Sequence, residues 1–225
     1  MQKIPIQIIL RKVEFIETHC DLLDFYGEEI EPKEISYSPN TLNIGGVVLR
    51  VENGRYAFAQ ALSQYIEPNM HVFESNVICS NIHSPYPKRW GHNNVIGGSG
   101  FGYERSPDNR PYRIPHLGSV RFGEGVEIGS CVCIDRGVVD DTVIGDHTKI
   151  DNEVHIAHGA KIGKNVLIVA GSVIGGSTII GDNCFLGINC SIKNKLRIGE
   201  NVTIGMGAVV LSDVPDNTIV KGLWK

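Results

Sequence analysis

The chain has 225 residues, of which 42% are hydrophobic and 20% are charged, and its formal net charge is −4. This balance is that of a globular protein with enough apolar material for a core, and it excludes the basic face that nucleic-acid binding requires. The apolar run Ile4–Leu10 is too short to span a bilayer, and no small-residue cleavage site follows it. We therefore expect a cytoplasmic protein without a membrane span.

The first 70 residues do not carry the repeat found further on, and we expect them to form a small α/β domain. Short β-rich runs such as Gly46–Val51 predict strands, and Gly54–Glu67 predicts an amphipathic helix with an apolar stripe. Residues 72–98 fit irregular first coils of a second domain, which we place at residues 71–225. Residues 99–118 contain three prolines and five charged residues. They predict a loop that extends from the coils, and loops of this length are often functional.

The strongest signal is an aliphatic residue at every sixth position from Ile144 to Val210, often followed by glycine. The same period holds from Phe122 to Ile134, with a break at Gly137–Asp141. A period of six is neither helical nor a simple strand alternation, and it is the signature of a parallel β-helix with three hexads per coil. The aliphatic side chains then point inward. The glycines let the chain turn each corner, where a positive φ could be needed.

Equivalent positions on neighbouring coils are therefore expected 18 residues apart, with coils stacked at about 4.8 Å. We expect residues 119–222 to form the regular prism and the last three residues to form a tail. Three identical flat faces could pack around a threefold axis and leave clefts between copies, where a site would lie because a lone prism has no deep pocket. The prediction is a homotrimer.

His158 follows the inward-pointing Ile156 by two residues, at a turn where a side chain projects outward. Histidine suits the role of general base because its ordinary pKa of about 6.5 is near neutrality, although a solvated turn histidine is the simpler alternative. The 18-residue step places Gly176 one coil above His158 and Asn194 two coils above it. A backbone N–H near Gly176 could stabilise an oxyanion, the alternative being a plain corner glycine.

Three segments carry a resemblance to a known family: VIGGSGFGY at 95–103, RIPHLGSVRFGEGVEIGSCVCIDRG at 113–137 and DTVIGDHTKIDNEVHIAHGAKIG at 141–163. With them, residues 94–222 resemble the UDP-3-O-acylglucosamine N-acyltransferases of lipid A synthesis. The resemblance implies the left-handed sense of the β-helix, which ordinary parallel crossovers would not suggest. It also implies transfer of an acyl group onto a sugar amine.

Residue roles follow from this resemblance position by position. His158 corresponds to the proposed general base, and Asn152 is expected to act beside it in catalysis. The oxyanion site at Gly176 rests on the 18-residue step alone. The remaining contacts with the acceptor or acyl chain are assigned to Phe101, Tyr103, Asp151 and His155.

The C-terminal part departs from that family. Lys195 stands where the family has a second histidine, and the helices that help recognise acyl carrier protein have no counterpart. The closing stretch VTIGMGAVVLSDVPDNTIVKG instead resembles the coenzyme A-dependent sugar acetyltransferases, whose last coils border the coenzyme. Donor binding is therefore assigned to Asn194, Lys195, Gly205, Gly207 and Ala208, with corner geometry as the alternative for the small residues.

The six cysteines include no CxxC pair and no metal-ligand spacing, so we expect buried reduced thiols and no metal site. The fold class predicted is mainly β: a left-handed parallel β-helix of hexapeptide repeats with a small N-terminal α/β domain. The function predicted is transfer of an acyl group, with acetyl favoured, from acyl-CoA to the amine of a nucleotide-linked amino sugar. This would serve cell-surface polysaccharide or lipopolysaccharide synthesis, with no tightly bound cofactor.

Three alternatives remain open at this point. One is a lipid A-pathway enzyme that takes a 3-hydroxyacyl chain from acyl carrier protein. Another is a non-catalytic scaffold prism. The third is a zinc β-helix, which would need three ligands meeting across copies, with candidates His147, His155 and His158.

Overall fold

A computed structural model of the chain describes residues 4–5, 17–18, 29–30, 35–39, 41–44, 47–51, 53–62, 70–73, 76–79, 82–83 and 87–225. The chain divides into two compact units, residues 1–67 with 101–117 and residues 68–100 with 118–225. The boundary at residues 70 and 71 stays a prediction.

The described part of the chain contains one helix, α1, and many short strands. In chain order they are β1 (Ile4–Pro5), β2 (Glu17–Thr18), β3 (Glu29–Ile30), β4 (Ile35–Ser38), β5 (Thr41–Ile44), β6 (Val47–Arg50), α1 (Gly54–Leu62), β7 (Met70–Phe73), β8 (Asn76–Cys79), β9 (Ile82–His83), β10 (Arg89–Trp90), β11 (Val95–Ser99), β12 (Tyr103–Arg105), β13 (Pro111–Arg113), β14 (Val120–Phe122), β15 (Glu127–Ile128), β16 (Cys133–Arg136), β17 (Thr142–Ile144), β18 (Lys149–Ile150), β19 (His155–Ile156), β20 (Lys161–Ile162), β21 (Leu167–Ile168), β22 (Val173–Ile174), β23 (Ile179–Ile180), β24 (Phe185–Leu186), β25 (Ser191–Ile192), β26 (Arg197–Ile198), β27 (Thr203–Ile204), β28 (Val209–Val210), β29 (Ile219–Val220) and β30 (Leu223–Trp224).

The first unit combines α1 with an antiparallel sheet in the order β2-β6-β5-β4. Asn53 accepts a hydrogen bond from the Tyr56 N–H (3.0 Å) and so caps the start of the helix. The helix is described to Leu62, and residues 63–67 of the predicted span lie outside the described part of the chain. Within the described residues, no helix is long and apolar enough to cross a membrane.

The predicted loop at residues 99–118 contains an antiparallel hairpin, β12–β13. It belongs to the first unit, where the ring of Tyr112 meets that of Tyr56 edge-on at 5.3 Å. Glu104 also pairs with Arg55 of α1 at 3.4 Å. The chain thus leaves the repeat to complete the first unit and then returns to the coils.

The second unit is a β-solenoid with three faces, and its strands pair in parallel except for β7, which pairs with β8 antiparallel. Face A contains β10, β15, β18, β21, β24, β27 and β29; face B contains β7, β8, β11, β16, β19, β22, β25, β28 and β30; face C contains β9, β14, β17, β20, β23 and β26. The chain visits A, B and C in turn, so each coil has corners AB, BC and CA. The aliphatic residue of each hexad lies in the core, as the repeat predicts.

The glycine that follows each aliphatic residue serves a different purpose from the one expected. Positive φ occurs three residues after the aliphatic residue, as at Asn183 (φ 60) and Lys195 (φ 63). A Cβ on Gly181 would instead lie 2.7 Å from backbone atoms of Gly199 and Glu200 in the next coil. Glycine is required there because adjacent coils approach closely, so the predicted positive φ was misplaced.

The coil is lengthened only at corner BC within the described residues, whereas the last coil is shorter, with steps of 16 residues from Thr203 to Ile219 and 14 from Val209 to Leu223. Ile144 pairs with Ile162, an 18-residue step, whereas Phe122 pairs with Ile144, a 22-residue step. The four extra residues fall in the predicted break at residues 137–141. The excursion at residues 99–118 leaves between β11 and β14, at the same corner.

Two further expectations need correction. The last residues are not a tail, because β30 pairs with β28 and Trp224 Nε1 donates to the carbonyl of Asp213 (3.1 Å). Cys184 and Cys190 are buried as predicted, but Cys131 is exposed and Cys133 is half-buried. Cys20 and the side chain of Cys79 lie outside the described part of the chain.

Candidate functional site

His158 lies at corner BC, in the turn that follows β19, and is half-buried. The peptide that joins it to Gly159 is hydrogen-bonded on both sides. Its carbonyl accepts from the Ser177 N–H (2.9 Å), and its N–H donates to Oγ1 of Thr142 (2.8 Å). The backbone that carries the imidazole is therefore fixed to the coils above and below.

Gly176 lies directly above His158, as the 18-residue step predicts. A Cβ on Gly176 would come within 2.9 Å of both Cε1 and Nε2 of the imidazole. Lys195 continues the column, since its N–H donates to the Gly176 carbonyl (2.9 Å). Asn194 and Lys195 are exposed two coils above His158. The ring thus occupies space that any larger residue at position 176 would fill.

The N–H of Gly176 differs in its hydrogen bonding from the equivalent N–H groups at corner CA. The N–H groups of Lys164 and Glu200 hold the same turn position, and each donates to an aspartate one coil above, Asp182 (2.7 Å) and Asp216 (2.8 Å). No acceptor within the described residues takes the Gly176 N–H. An open amide donor is therefore present on the residue that touches the imidazole.

Asp151 and Asn152 lie at corner AB, not at the corner of His158. Asn152 Oδ1 accepts a hydrogen bond from the Ser130 N–H (2.8 Å). At other turns, an aspartate side chain accepts the equivalent backbone N–H. Asp151 accepts from the Asn152 N–H (2.8 Å) and from the Ala170 N–H (3.3 Å). Both side chains are exposed, so they combine a role in coil stacking with access to solvent.

Apart from His155, the other residues assigned to the site lie at corner AB or in the first unit. Gly205 and Gly207 lie at corner AB, where Ala208 points into the core. Phe101 and Tyr103 belong to the first unit, where their rings lie 4.9 Å apart and Phe101 is 88% exposed. Within one copy, the structure brings together His158, Gly176, Asn194 and Lys195, and separately Asp151, Asn152, Gly205 and Gly207.

His155 lies on face B, between the two corners. Its Nε2 is 3.8 Å from Oδ2 of Asp135, one coil below. Burial raises the pKa of the Asp135 carboxyl, and the nearby His155 and Arg136 only partly oppose this effect. Arg136 is itself buried and donates to the Gly97 carbonyl (2.8 Å). Sequence reasoning missed Asp135 and Arg136, although two charges directly after the inward-pointing Ile134 were visible.

A groove of about 540 Å³ runs along corner AB and the adjoining part of face A. It includes Asp151 and Asn152 but not His158. Lys149 within it pairs with Glu127 at 2.8 Å. Its other lining residues, which sequence reasoning had not assigned, include Arg89, His92, Leu167 and Phe185. Among the described residues, no three histidine, cysteine, aspartate or glutamate side chains converge to hold a metal ion.

Part of the solenoid matches a known protein family. Residues 141–176 and 177–212 match the family described as bacterial transferase hexapeptide (six repeats). A 56-residue stretch is 52% identical to a UDP-3-O-acylglucosamine N-acyltransferase from Delftia acidovorans; it covers 24% of this chain and 16% of that protein. The chain therefore aligns with less than a fifth of this relative.

Two solved structures are similar to parts of this chain. One is a UDP-N-acetylglucosamine acyltransferase from Arabidopsis, with a TM-score of 0.51 and 28% identity over 59% of this chain and 44% of that one. The other is a variant of perosamine N-acetyltransferase from Caulobacter crescentus in complex with CoA and GDP-perosamine. Its TM-score is 0.46, with 25% identity over 59% of this chain and 52% of that one.

Proposed function

We propose that this chain, whose repeats are those of the bacterial transferase hexapeptide family, is an acyltransferase that moves an acyl group from a thioester to the amine of a nucleotide-linked sugar. The observation that carries the proposal is the fixed, half-buried imidazole of His158 against a glycine with an open N–H. The donor in this proposal is a short acyl-CoA, acetyl-CoA in the simplest case.

His158 acts as the general base in this reaction. The neutral amine attacks the thioester carbonyl, and the imidazole removes the proton that the nitrogen loses as the new C–N bond forms. When the tetrahedral intermediate collapses, the C–S bond breaks and the sulfur leaves as a thiol with that proton. The products are an amide and free CoA, and no covalent intermediate with the protein is needed.

The Gly176 N–H supplies the second element of the chemistry. A tetrahedral intermediate carries negative charge on the former carbonyl oxygen, and a preorganised N–H stabilises that charge. The Gly176 N–H has no acceptor among the described residues, so it is available for this purpose. Because Gly176 touches the imidazole, donor and base act on the same small volume.

We further propose that three copies pack around a threefold axis and share each site. Within one copy, His158 lies at corner BC while Asp151 and the groove lie at corner AB. Packing of copies around an axis would join corner BC of one copy to corner AB of the next. The acceptor would then lie between His158 of one copy and Asp151 of its neighbour.

Exposed apolar side chains support this assembly. On face A, Leu167, Phe185 and Ile219 are 41–65% exposed, and on face B, Val173 and Leu223 are 42% and 56% exposed. Rows of large apolar side chains left in water mark surfaces that bind other proteins. These rows flank corner AB, where the proposed contact with a neighbouring copy is made.

The function is tested by a screen of acyl-CoA donors and nucleotide-linked amino sugars, with free thiol as the readout. We expect His158→Asn to lower kcat about 100-fold or more, while His147→Asn, which alters a turn histidine at corner CA, keeps wild-type activity. An unchanged rate in His158→Asn would remove His158 from the mechanism. Failure of every amino sugar to release thiol would contradict N-acyl transfer.

The shared site is tested by mixing two inactive variants. His158→Asn and Asp151→Ala are each expected to be inactive as pure oligomers. When they are unfolded and refolded together, we expect about one quarter of wild-type activity, because each site draws its two sides at random from two copies. No recovery in the mixture, or full activity of Asp151→Ala alone, would contradict a site shared between copies.

A second candidate is favoured by the 52% identity to a UDP-3-O-acylglucosamine N-acyltransferase. In this reaction the acyl group would be a longer 3-hydroxyacyl chain carried by acyl carrier protein. The chemistry at His158 and Gly176 would be the same, so only the donor separates the two candidates. Thiol release from acyl carrier protein but not from CoA would favour this second reaction.

A further inference from the structure

Adjacent turns of the solenoid are joined by a regular ladder of backbone hydrogen bonds. In the turns from Cys131 to Asn217, each residue with positive φ except Gly159 donates its N–H to a backbone carbonyl one coil below. At corner BC, Ser177 donates to the His158 carbonyl (2.9 Å) and Lys195 to the Gly176 carbonyl (2.9 Å). At corner CA, Asn165 donates to the Asp146 carbonyl in the same way (2.8 Å).

Gly159 departs from this ladder. It has positive φ (69°), but its N–H donates to a side-chain oxygen, Oγ1 of Thr142 (2.8 Å). The reason lies one coil below, where the four extra residues at 137–141 redirect the chain. By register, the acceptor would be the carbonyl of Arg136, because Ile134 pairs with Ile156, and this carbonyl lies directly before the insertion. Beneath His158, the hydrogen bond between coils is therefore accepted by a hydroxyl group and not by a backbone carbonyl.

Thr142 is well placed to supply that step. Its side chain is fully buried, and its hydroxyl donates to the Asp135 carbonyl (2.6 Å) while accepting from Gly159. Because the hydroxyl proton is committed to Asp135, the oxygen lone pair is directed at the Gly159 N–H. That N–H belongs to the same peptide as the His158 carbonyl, so Thr142 helps to set the plane of this peptide.

From this geometry we infer that Thr142 is a positioning residue for His158. It replaces the backbone acceptor that the expanded coil removes, and it fixes the peptide whose orientation aims the imidazole at the substrate. The inference rests on the proposed function of His158 as general base. Misplacement of a catalytic group by about 1 Å can cost about 100-fold in rate, so a single hydroxyl at this point is expected to matter.

Thr148 provides a matched control. It is also fully buried, donates to the Gly163 carbonyl (2.9 Å) and accepts from the Val166 N–H (3.2 Å), but it lies at corner CA. Thr142→Val and Thr148→Val thus remove the same pair of hydrogen bonds at different corners. We expect Thr142→Val to lower kcat about 10-fold or more with little change in KM. Thr148→Val should keep its kcat, and Thr142→Ser should restore activity.

Equal kcat values in Thr142→Val and Thr148→Val, or no recovery in Thr142→Ser, would overturn the inference. A second measurement separates it from the proposed function: NMR of the His158 ring in the substrate-free protein, assigned with His158→Asn. We expect Thr142→Val to shift the ring resonances and their pH titration, and Thr148→Val to leave both unchanged. That result would stand even if no donor and acceptor pair reacted, whereas identical spectra in both variants would refute the role of Thr142.

Discussion

Asp135 and Asp141, which lie on either side of the expanded turn at corner BC, have pKa values displaced in opposite directions. Burial raises the pKa of Asp135 above its usual 3.8. Burial also opposes ionisation of Asp141, but hydrogen bonds from Arg121 and Ser119 outweigh it and lower that pKa below 3.8. The same turn therefore contains one carboxylate that stabilises the fold and one that destabilises it.

Asp141→Asn is expected to destabilise the protein at neutral pH. The Asp141 carboxylate accepts from the Ser119 N–H (2.8 Å) and pairs with Arg121, and hydrogen bonds to charged groups contribute about 1.5–3 kcal/mol. Since Arg121 is half exposed, we expect a loss nearer 1 kcal/mol. With a lowered folded pKa, the wild-type advantage is full above the unfolded pKa and disappears as the pH falls through the folded value.

Urea unfolding of Asp141→Asn between pH 3 and pH 7 checks this prediction. Asp182→Asn is the control, because Asp182 accepts a backbone N–H in the same way, from Lys164, while the pair with Arg121 belongs to Asp141. A stability difference between Asp141→Asn and wild type that grows as the pH falls would contradict the assigned sign.

Asp135→Asn is expected to stabilise the protein at neutral pH. Because the folded pKa is raised, the carboxyl favours the fold while it is protonated, and this contribution is lost as the pH rises through the folded pKa. Asparagine removes the buried charge and should raise Tm by about 2–4 °C at pH 7, the shift produced by about 1 kcal/mol in a chain of this size. Below the unfolded pKa the two proteins should converge. A lower Tm for the variant at pH 7 would show that the His155 contact outweighs burial.

Gly176→Ala is expected to impair catalysis more than folding. Its new methyl group would lie 2.9 Å from two ring atoms of His158, and the ring can move where backbone could not. The His158 carbonyl oxygen would also be close, at 3.2 Å, but the ring contacts are the shortest. We expect kcat to fall about 10-fold or more, with a nearly unchanged far-UV spectrum. Gly98→Ala is the control, because its nearest neighbours would be at an ordinary 3.5 Å. Equal rates in the two variants would argue against displacement of the ring.

Gly181→Ala should destabilise the fold, whereas Asn183→Gly, two residues further along the chain, should leave its stability nearly unchanged. The added Cβ at 181 would meet backbone at 2.7 Å, and such overpacking typically costs about 1–3 kcal/mol. Asn183 already has a φ of 60°, which glycine adopts freely, so its replacement should be nearly neutral. Thermal unfolding of both variants tests this difference in stability. If Gly181→Ala were the more stable variant, the close approach of adjacent coils at Gly181 would not be what requires glycine there.

The sequence was sufficient for the prism because its period is carried by side chains that all face one core. Ile144, Ile156 and Val210 had to point inward, and the column from His158 to Gly176 followed from counting alone. What counting could not reveal was which corner each residue occupies. Asp151 is near His158 in sequence yet lies at another corner, and the groove depends on outward-facing residues such as Phe185, for which the repeat sets no residue type.

The role of Thr142 was hidden for a different reason. Its hydroxyl matters only because a carbonyl is missing beneath Gly159, and that absence follows from the path of residues 137–141. The six-residue period predicts contacts that repeat from coil to coil. The hydrogen bond of Thr142 lies where the period is interrupted, so the period could not predict it.

The two places where the solenoid lengthens its coil have a practical consequence. Parallel pairing resumes after both the excursion at residues 99–118, where β14 pairs with β9, and the expansion at residues 137–141, where β14 pairs with β17. Corner BC can therefore accept added chain without disturbing the stacked core, and residues grafted there would surround the edge that carries His158. A designer could use this edge to change which molecules reach the histidine while leaving the aliphatic columns intact.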